Sequence, residues 1–185
     1  SSAKMVCVKN NEAFKDASQI QYVARAGDYR ALGFESNGYL KILKVILNYD
    51  YLWINVRVQG GAYGCMASFK RNGMATFVSY RDPNLRKTNE IFEKMADYIR
   101  NFDVSERDMT KFVIGAISAL DTPLTPSQRG KRGLDAYLRG VDDSILQKER
   151  DEILDATTED IRMQAQLVDA VLGQKCLCVI GNEDN

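Results

Sequence analysis

Arg71-Asn72-Gly73 separates two runs, 62–70 and 74–80, that are rich in aromatic, β-branched and small apolar residues. Asn-Gly between such runs constrains this chain more than any other feature. A two-residue hairpin turn takes positive φ at both central positions, which Asn and Gly tolerate best, so an antiparallel strand pair is expected in mid-chain. What precedes it has a different period. Between Gly38 and Val56, the residues Tyr39, Leu40, Leu43, Ile46, Leu47, Leu52, Trp53 and Val56 recur with helical spacing. Further apolar residues widen the stripe, as expected of a largely buried core helix.

The other elements are placed around this helix and hairpin. Residues 19–26 form a short β-branched and aromatic run that ends at Gly27-Asp28 and reads as a strand. After the hairpin, Asp82-Pro83 offers an N-cap and a first-turn proline, and Leu85, Thr88, Ile91, Phe92, Met95, Ile99 and Phe102 mark the face of a second helix. Ser105 and Asp108 have capping-box spacing ahead of a third, whose apolar stripe runs from Met109 to Leu120. Pro123 and Pro126 break it, and Thr125 with Gln128 can cap a fourth that fades near Gly140. Helices over 143–155 and 158–172 follow, the last ended by Gly173, and residues 175–180 close the chain as an apolar strand able to pair inside a sheet. This order predicts an α+β two-layer sandwich: an antiparallel or mixed sheet with helices on one face, in a single domain over 1–185.

Charge narrows the functional classes. Twenty-five Lys and Arg balance 25 Asp and Glu, so no basic excess points to nucleic acid or an anionic membrane. No apolar run reaches the roughly 18 residues of a membrane helix. Cys7, Cys65, Cys176 and Cys178 lie in strand-like surroundings without zinc-ligand spacing and read as small buried thiols. Glu149, Glu152 and Asp155 read as helix-surface charges, and Arg129, Lys131, Arg132 and Arg139, with acids close by, as a solvated face.

Where the core helix hands over to the hairpin stands Asn55-Val-Arg-Val-Gln-Gly-Gly-Ala-Tyr-Gly-Cys65. Gly60, Gly61 and Gly64 lack a following Gly-Lys-Ser/Thr, and the order is helix then strand, so a phosphate loop is not indicated. A tight turn explains them. Arg57 offers a planar, permanently charged fork for a carbonyl or carboxylate, and the Tyr63 hydroxyl can donate to a developing oxyanion. The alternative is an ordinary surface arginine beside a core tyrosine, and the residues alone favour it. The chain has no histidine, so no Ser-His or Cys-His nucleophile and no metal triad can be assembled from it.

Residues 49–64, Tyr-Asp-Tyr-Leu-Trp-Ile-Asn-Val-Arg-Val-Gln-Gly-Gly-Ala-Tyr-Gly, closely resemble the C-terminal part of the presequence proteases and their bacterial relatives in the insulinase (pitrilysin) family of zinc metallopeptidases. Residues 78–84, 98–102 and 121–126 carry the same resemblance, and residues 11–26 are similar to the strand that precedes the core helix there. The resemblance implies one long chain of four related α+β domains whose halves close over a chamber, this chain being the fourth. Zinc would be held by the first domain through an inverted His-x-x-Glu-His motif, leaving none here. Arg57, Gly60, Gly61 and Tyr63 would face an unfolded peptide, with Arg57 and Tyr63 supporting catalysis across the chamber. The partners implied are peptide substrates and the zinc-bearing half of the same protein, in the cytoplasm of a bacterium or the matrix of an organelle. Two other readings stay open: a catalytically inactive domain that binds peptides or scaffolds an assembly, and a separate subunit paired with a zinc-bearing chain. The upstream sequence discriminates among them.

Overall fold

The structure, a computed structural model, describes residues 11–17 and 19–182. Five strands form one open mixed sheet: β1 (Glu12–Asp16), β2 (Gln21–Asp28), β3 (Gly64–Phe69), β4 (Met74–Asp82) and β5 (Cys176–Asn182), in the order β1-β5-β2-β4-β3. Only β1 and β5 run parallel; the other neighbours are antiparallel. The closing strand lies inside the sheet, as its apolar run predicts. β1, by contrast, had no sequence signal, because Glu-Ala-Phe-Lys-Asp lacks an alternating apolar face.

Helices cover one face. They are α1 (Tyr39–Ile46), α2 (Arg86–Glu93), α3 (Met95–Arg100), α4 (Glu106–Leu120), α5 (Pro126–Leu138), α6 (Asp143–Leu154), α7 (Thr158–Met163) and α8 (Ala165–Gly173). Val23, Ala67, Phe69, Ala75, Phe77 and Val179 point from the sheet into a core completed by Leu40, Leu43, Ile46, Leu47, Phe92, Met95, Ile99, Ile153 and Val168. The alternate residues face away: Phe14, Ile180 and Tyr22 stand side by side across β1, β5 and β2 and are exposed. The architecture is therefore the expected two-layer sandwich. No described helix is long and apolar enough to cross a membrane.

Several local expectations change. The hairpin exists, but only Gly73 has positive φ (101°); Asn72 does not. The Gly73 N–H donates to the Lys70 carbonyl and the Lys70 N–H to Met74, so the loop is a three-residue turn closed by one left-handed glycine. Asp82 does not cap a helix at Pro83. It is the last residue of β4, fully buried, and α2 begins at Arg86. Gly173 remains helical, and the left-handed residue that ends α8 is Lys175 (φ 53°). Capping by Ser105 and Thr125 stands: each side chain accepts from the backbone N–H three residues on. α5 lies outermost, with none of its residues buried and Leu134, Tyr137 and Leu138 in solvent.

Glu149 and Glu152 are not surface charges. Glu149 is 4% exposed and receives a hydrogen bond from Arg71 at the hairpin tip at 2.8 Å, while Glu152 accepts from the Gly38 N–H at 2.6 Å. Together they fix α6 to the hairpin and to the start of α1. Cys65, Cys176 and Cys178 are free and half-buried, and Cys7 lies outside the described residues.

Candidate functional site

The core helix does not stay α-helical. After α1 it widens into two π-helical segments, Leu47–Tyr51 and Trp53–Val58. The spacing supplies the reason: Leu47 and Leu52 are both fully buried yet five residues apart, which an α-turn of 3.6 residues cannot place on one side. One wider turn per segment brings them into register. The same widening rotates Trp53, expected in the core, out to 43% exposure. π-Turns in helices are rare and are found frequently at functional sites.

The widened helix is clamped from behind. The Tyr51 hydroxyl donates to the Ile91 carbonyl and the Tyr98 hydroxyl to Asp50, each at 2.8 Å, and the two rings lie 4.6 Å apart. Burial pushes the Tyr51 phenol up to about 12 and raises that of Tyr98 further, since its acceptor is a carboxylate. Both are neutral donors at ordinary pH.

At the helix end the chain reverses within two residues. The Gly61 N–H donates to the Arg57 carbonyl at 2.9 Å and the Ala62 N–H to Val56 at 3.1 Å. Gly61 needs positive φ (81°), and a Cβ on Gly60 would stand 2.4 Å from the Val56 oxygen, so neither position accepts another residue without rearrangement. A buried latch holds the turn from the side. Asp82 accepts from the Thr88 hydroxyl at 2.6 Å and the Asn84 N–H at 2.8 Å, and the Asn84 side chain donates to the Gly60 carbonyl.

Arg57 and Tyr63 are brought together on this rigid turn. Arg57 donates to the Tyr63 carbonyl at 2.5 Å, and its guanidinium carbon lies 4.4 Å from the Trp53 ring centre and 5.8 Å from that of Tyr63. Tyr63 is 58% exposed, so the core-tyrosine alternative fails, and its hydroxyl has no hydrogen-bond partner among the described residues. Sequence reasoning did not single out Trp53, Asn84 or Arg81, whose guanidinium carbon lies 5.3 Å from the Tyr63 ring. Their only signal was membership of the runs 49–64 and 78–84. Next to the turn, burial pushes the Cys65 thiol up to about 11, with Arg57 pulling the other way, which makes it a poor nucleophile.

Among the described residues, no group of three or more His, Cys, Asp or Glu could hold a metal ion. The side chains at the turn do not fit zinc. What the arrangement offers is a pair of neutral and cationic donors on a solvent-facing ledge.

Residues 11–183 match the model of the PreP C-terminal domain. The chain belongs to the presequence-protease family. Presequence protease 1, chloroplastic/mitochondrial, of Arabidopsis thaliana is 37% identical over 162 residues, 87% of this chain and 15% of that protein. Protein HypA of Clostridium perfringens is 40% identical over 176 residues, 95% of this chain and 18% of that protein. This presequence-protease domain thus spans less than a fifth of the length of those relatives. Its fold is shared with a protease from Helicobacter pylori (TM-score 0.67, 14% identity, 94% of this chain and 45% of that one) and with a peptidase M16 inactive domain from Pseudomonas fluorescens (TM-score 0.66, 14% identity, 92% and 42%). The matched domain is the C-terminal one of this peptidase family.

Proposed function

We propose that this chain is the fourth domain of a four-domain zinc peptidase that hydrolyses unfolded peptides in a closed chamber, and that its Arg57–Tyr63 ledge faces the peptide. The observation that carries the reading is the ledge itself: an arginine and a tyrosine held by a tight glycine turn and a buried latch, with free donors pointing to solvent. Arg57 has one amino group fixed on the Tyr63 carbonyl, and its other N–H groups remain for a peptide carbonyl. The Tyr63 hydroxyl donates to the carbonyl oxygen as negative charge develops on it. Gly60 and Gly61 present bare backbone, so an extended peptide can approach closely. Zinc would be held by residues of another domain, not by Arg57 or Tyr63, and would supply an activated water there. The same placement fits either cytoplasm or an organelle matrix.

In the full-length polypeptide, Arg57→Ala is expected to lower peptide turnover by about 100-fold, and Tyr63→Phe by about tenfold, with zinc content unchanged. Unaltered kinetics in both variants would overturn the assignment and favour a peptide-binding or scaffolding domain without a catalytic part.

A further inference from the structure

One irregularity in the sheet has been built next to the ledge. Along β4 the residues alternate, with Ala75, Phe77 and Ser79 buried, so an unbroken pleat would turn Arg81 into the core. It does not, because the β2–β4 register slips there: Gln21 pairs with Asp82 and Val23 with Ser79, two steps on β2 against three on β4. This is a β-bulge of one extra residue. Arg81 takes φ 49°, a conformation that only it and Lys175 adopt among the described non-glycine residues. The bulge reverses the faces of the next two residues. Arg81 comes out to solvent and Asp82 goes in to form the latch.

Once outside, Arg81 is tied to the ledge at both ends. Its carbonyl accepts the Tyr63 N–H at 3.1 Å, and its guanidinium carbon lies 5.3 Å from the Tyr63 ring centre. Tyr63 therefore carries two guanidiniums within reach of one ring, since Arg57 lies 5.8 Å from it. Neither arginine is in an ion pair among the described residues, and the acid next to Arg81 along the chain, Asp82, is buried and accepts from Thr88 and Asn84. Two unpaired positive charges at one exposed ring are unfavourable on their own and are relieved by an anion. The planar forks of two arginines suit a carboxylate.

We infer that Arg81 is a specificity-determining residue of this site: with Arg57 it receives a carboxylate of the bound peptide, either an acidic side chain or a free C-terminus. This rests on the reading that the Arg57–Tyr63 ledge faces peptide. Left-handed strain at a non-glycine residue is retained where the surroundings over-determine it, and such residues cluster at ligand clamps.

The test uses the full-length polypeptide and three fluorogenic peptides of one neutral sequence. One is C-terminally amidated, one is amidated with a glutamate beside the cleavage site, and one has a free C-terminus. At low salt, at least one of the two carboxylate peptides is expected to exceed the amidated neutral one by about tenfold in kcat/KM, mainly through KM, and to lose the advantage at high salt. Which of the two does so identifies the source of the carboxylate. Arg81→Asn keeps a residue that tolerates left-handed φ while removing the charge, and it should reduce the preference to about twofold or less. Arg81→Lys should restore part of it. A wild type that does not discriminate among the three peptides, or an Arg81→Asn enzyme that keeps the preference, overturns the inference. If Arg57→Ala abolishes turnover while Arg81→Asn keeps the preference, only the role of Arg81 fails; if Arg57→Ala changes nothing, the reading of the ledge fails with it.

Discussion

Arg25 and Arg71 end on carboxylates, whereas Arg57 and Arg81 end on aromatic rings. Arg25, 4% exposed, rises from the middle of β2 into the helical layer, where it pairs with Glu93 and donates to Asn89 at 2.9 Å and to the Leu172 carbonyl at 2.8 Å. Arg71 closes the hairpin tip onto buried Glu149. Each holds elements together that lie far apart in sequence, and removing either strands a buried acceptor. Arg57 stands at the Gly60–Gly61 turn and Arg81 at the bulge of β4, yet a guanidinium over an exposed ring contributes only about 0.5–1 kcal/mol. The contrast separates scaffold from proposed site: in one pair the charge is satisfied within the domain, in the other no carboxylate pairs with it among the described residues.

The largest expected effect tests the scaffold side. Arg25→Ala should lower the unfolding free energy by about 3 kcal/mol, read by chemical denaturation of the isolated domain, with Glu93's partial exposure tempering the loss. A change below about 1 kcal/mol would put Arg25 in the same class as Arg57 and erase the contrast.

Next comes the clamp behind the ledge, through pH. The ordinary phenol value is about 10, and burial pushes Tyr51 up to about 12 in the folded domain. A raised value means the neutral phenol's contribution is complete below about pH 10 and is lost as pH rises toward about 12. Stability should therefore fall over that window, and Tyr51→Phe should flatten the fall. An equally steep decline in the variant would assign it to other groups.

The smallest effect sharpens the site side. Arg57→Ala in the isolated domain should change the unfolding free energy by less than about 1 kcal/mol, by the same denaturation. A loss as large as that for Arg25 would make Arg57 a structural residue, and its effect on turnover would then carry no message about substrate.

Legibility in the sequence followed locality. The Ser105 and Thr125 caps and the 69–75 hairpin depend on residues within a few positions and were readable. So was the place of β5 inside the sheet, from its apolar run. Glu149 was misread because its partner, Arg71, is 78 residues away and only the folded hairpin brings them together. The bulge at Arg81 follows from pairing between β2 and β4, about 60 residues apart, and no pattern within 74–82 announces it. The π-turns left a trace, the five-residue step from Leu47 to Leu52, but an α-helical period absorbed it among the other apolar residues. At the ledge, Arg57 and Tyr63 were visible as residue types in a helix-to-strand junction, while Trp53 and Arg81 owe their places to the widened helix and the bulge.

The most direct measurement is an experimental structure of the full-length polypeptide, inactivated at the proposed metal-activated step, with an unfolded peptide bound in the proposed chamber. The account requires an Arg57 nitrogen and the Tyr63 hydroxyl within hydrogen-bond distance, about 2.6–3.2 Å, of carbonyl oxygens flanking the scissile bond. A peptide bound elsewhere, with Arg57 and Tyr63 still facing bulk solvent, would contradict it.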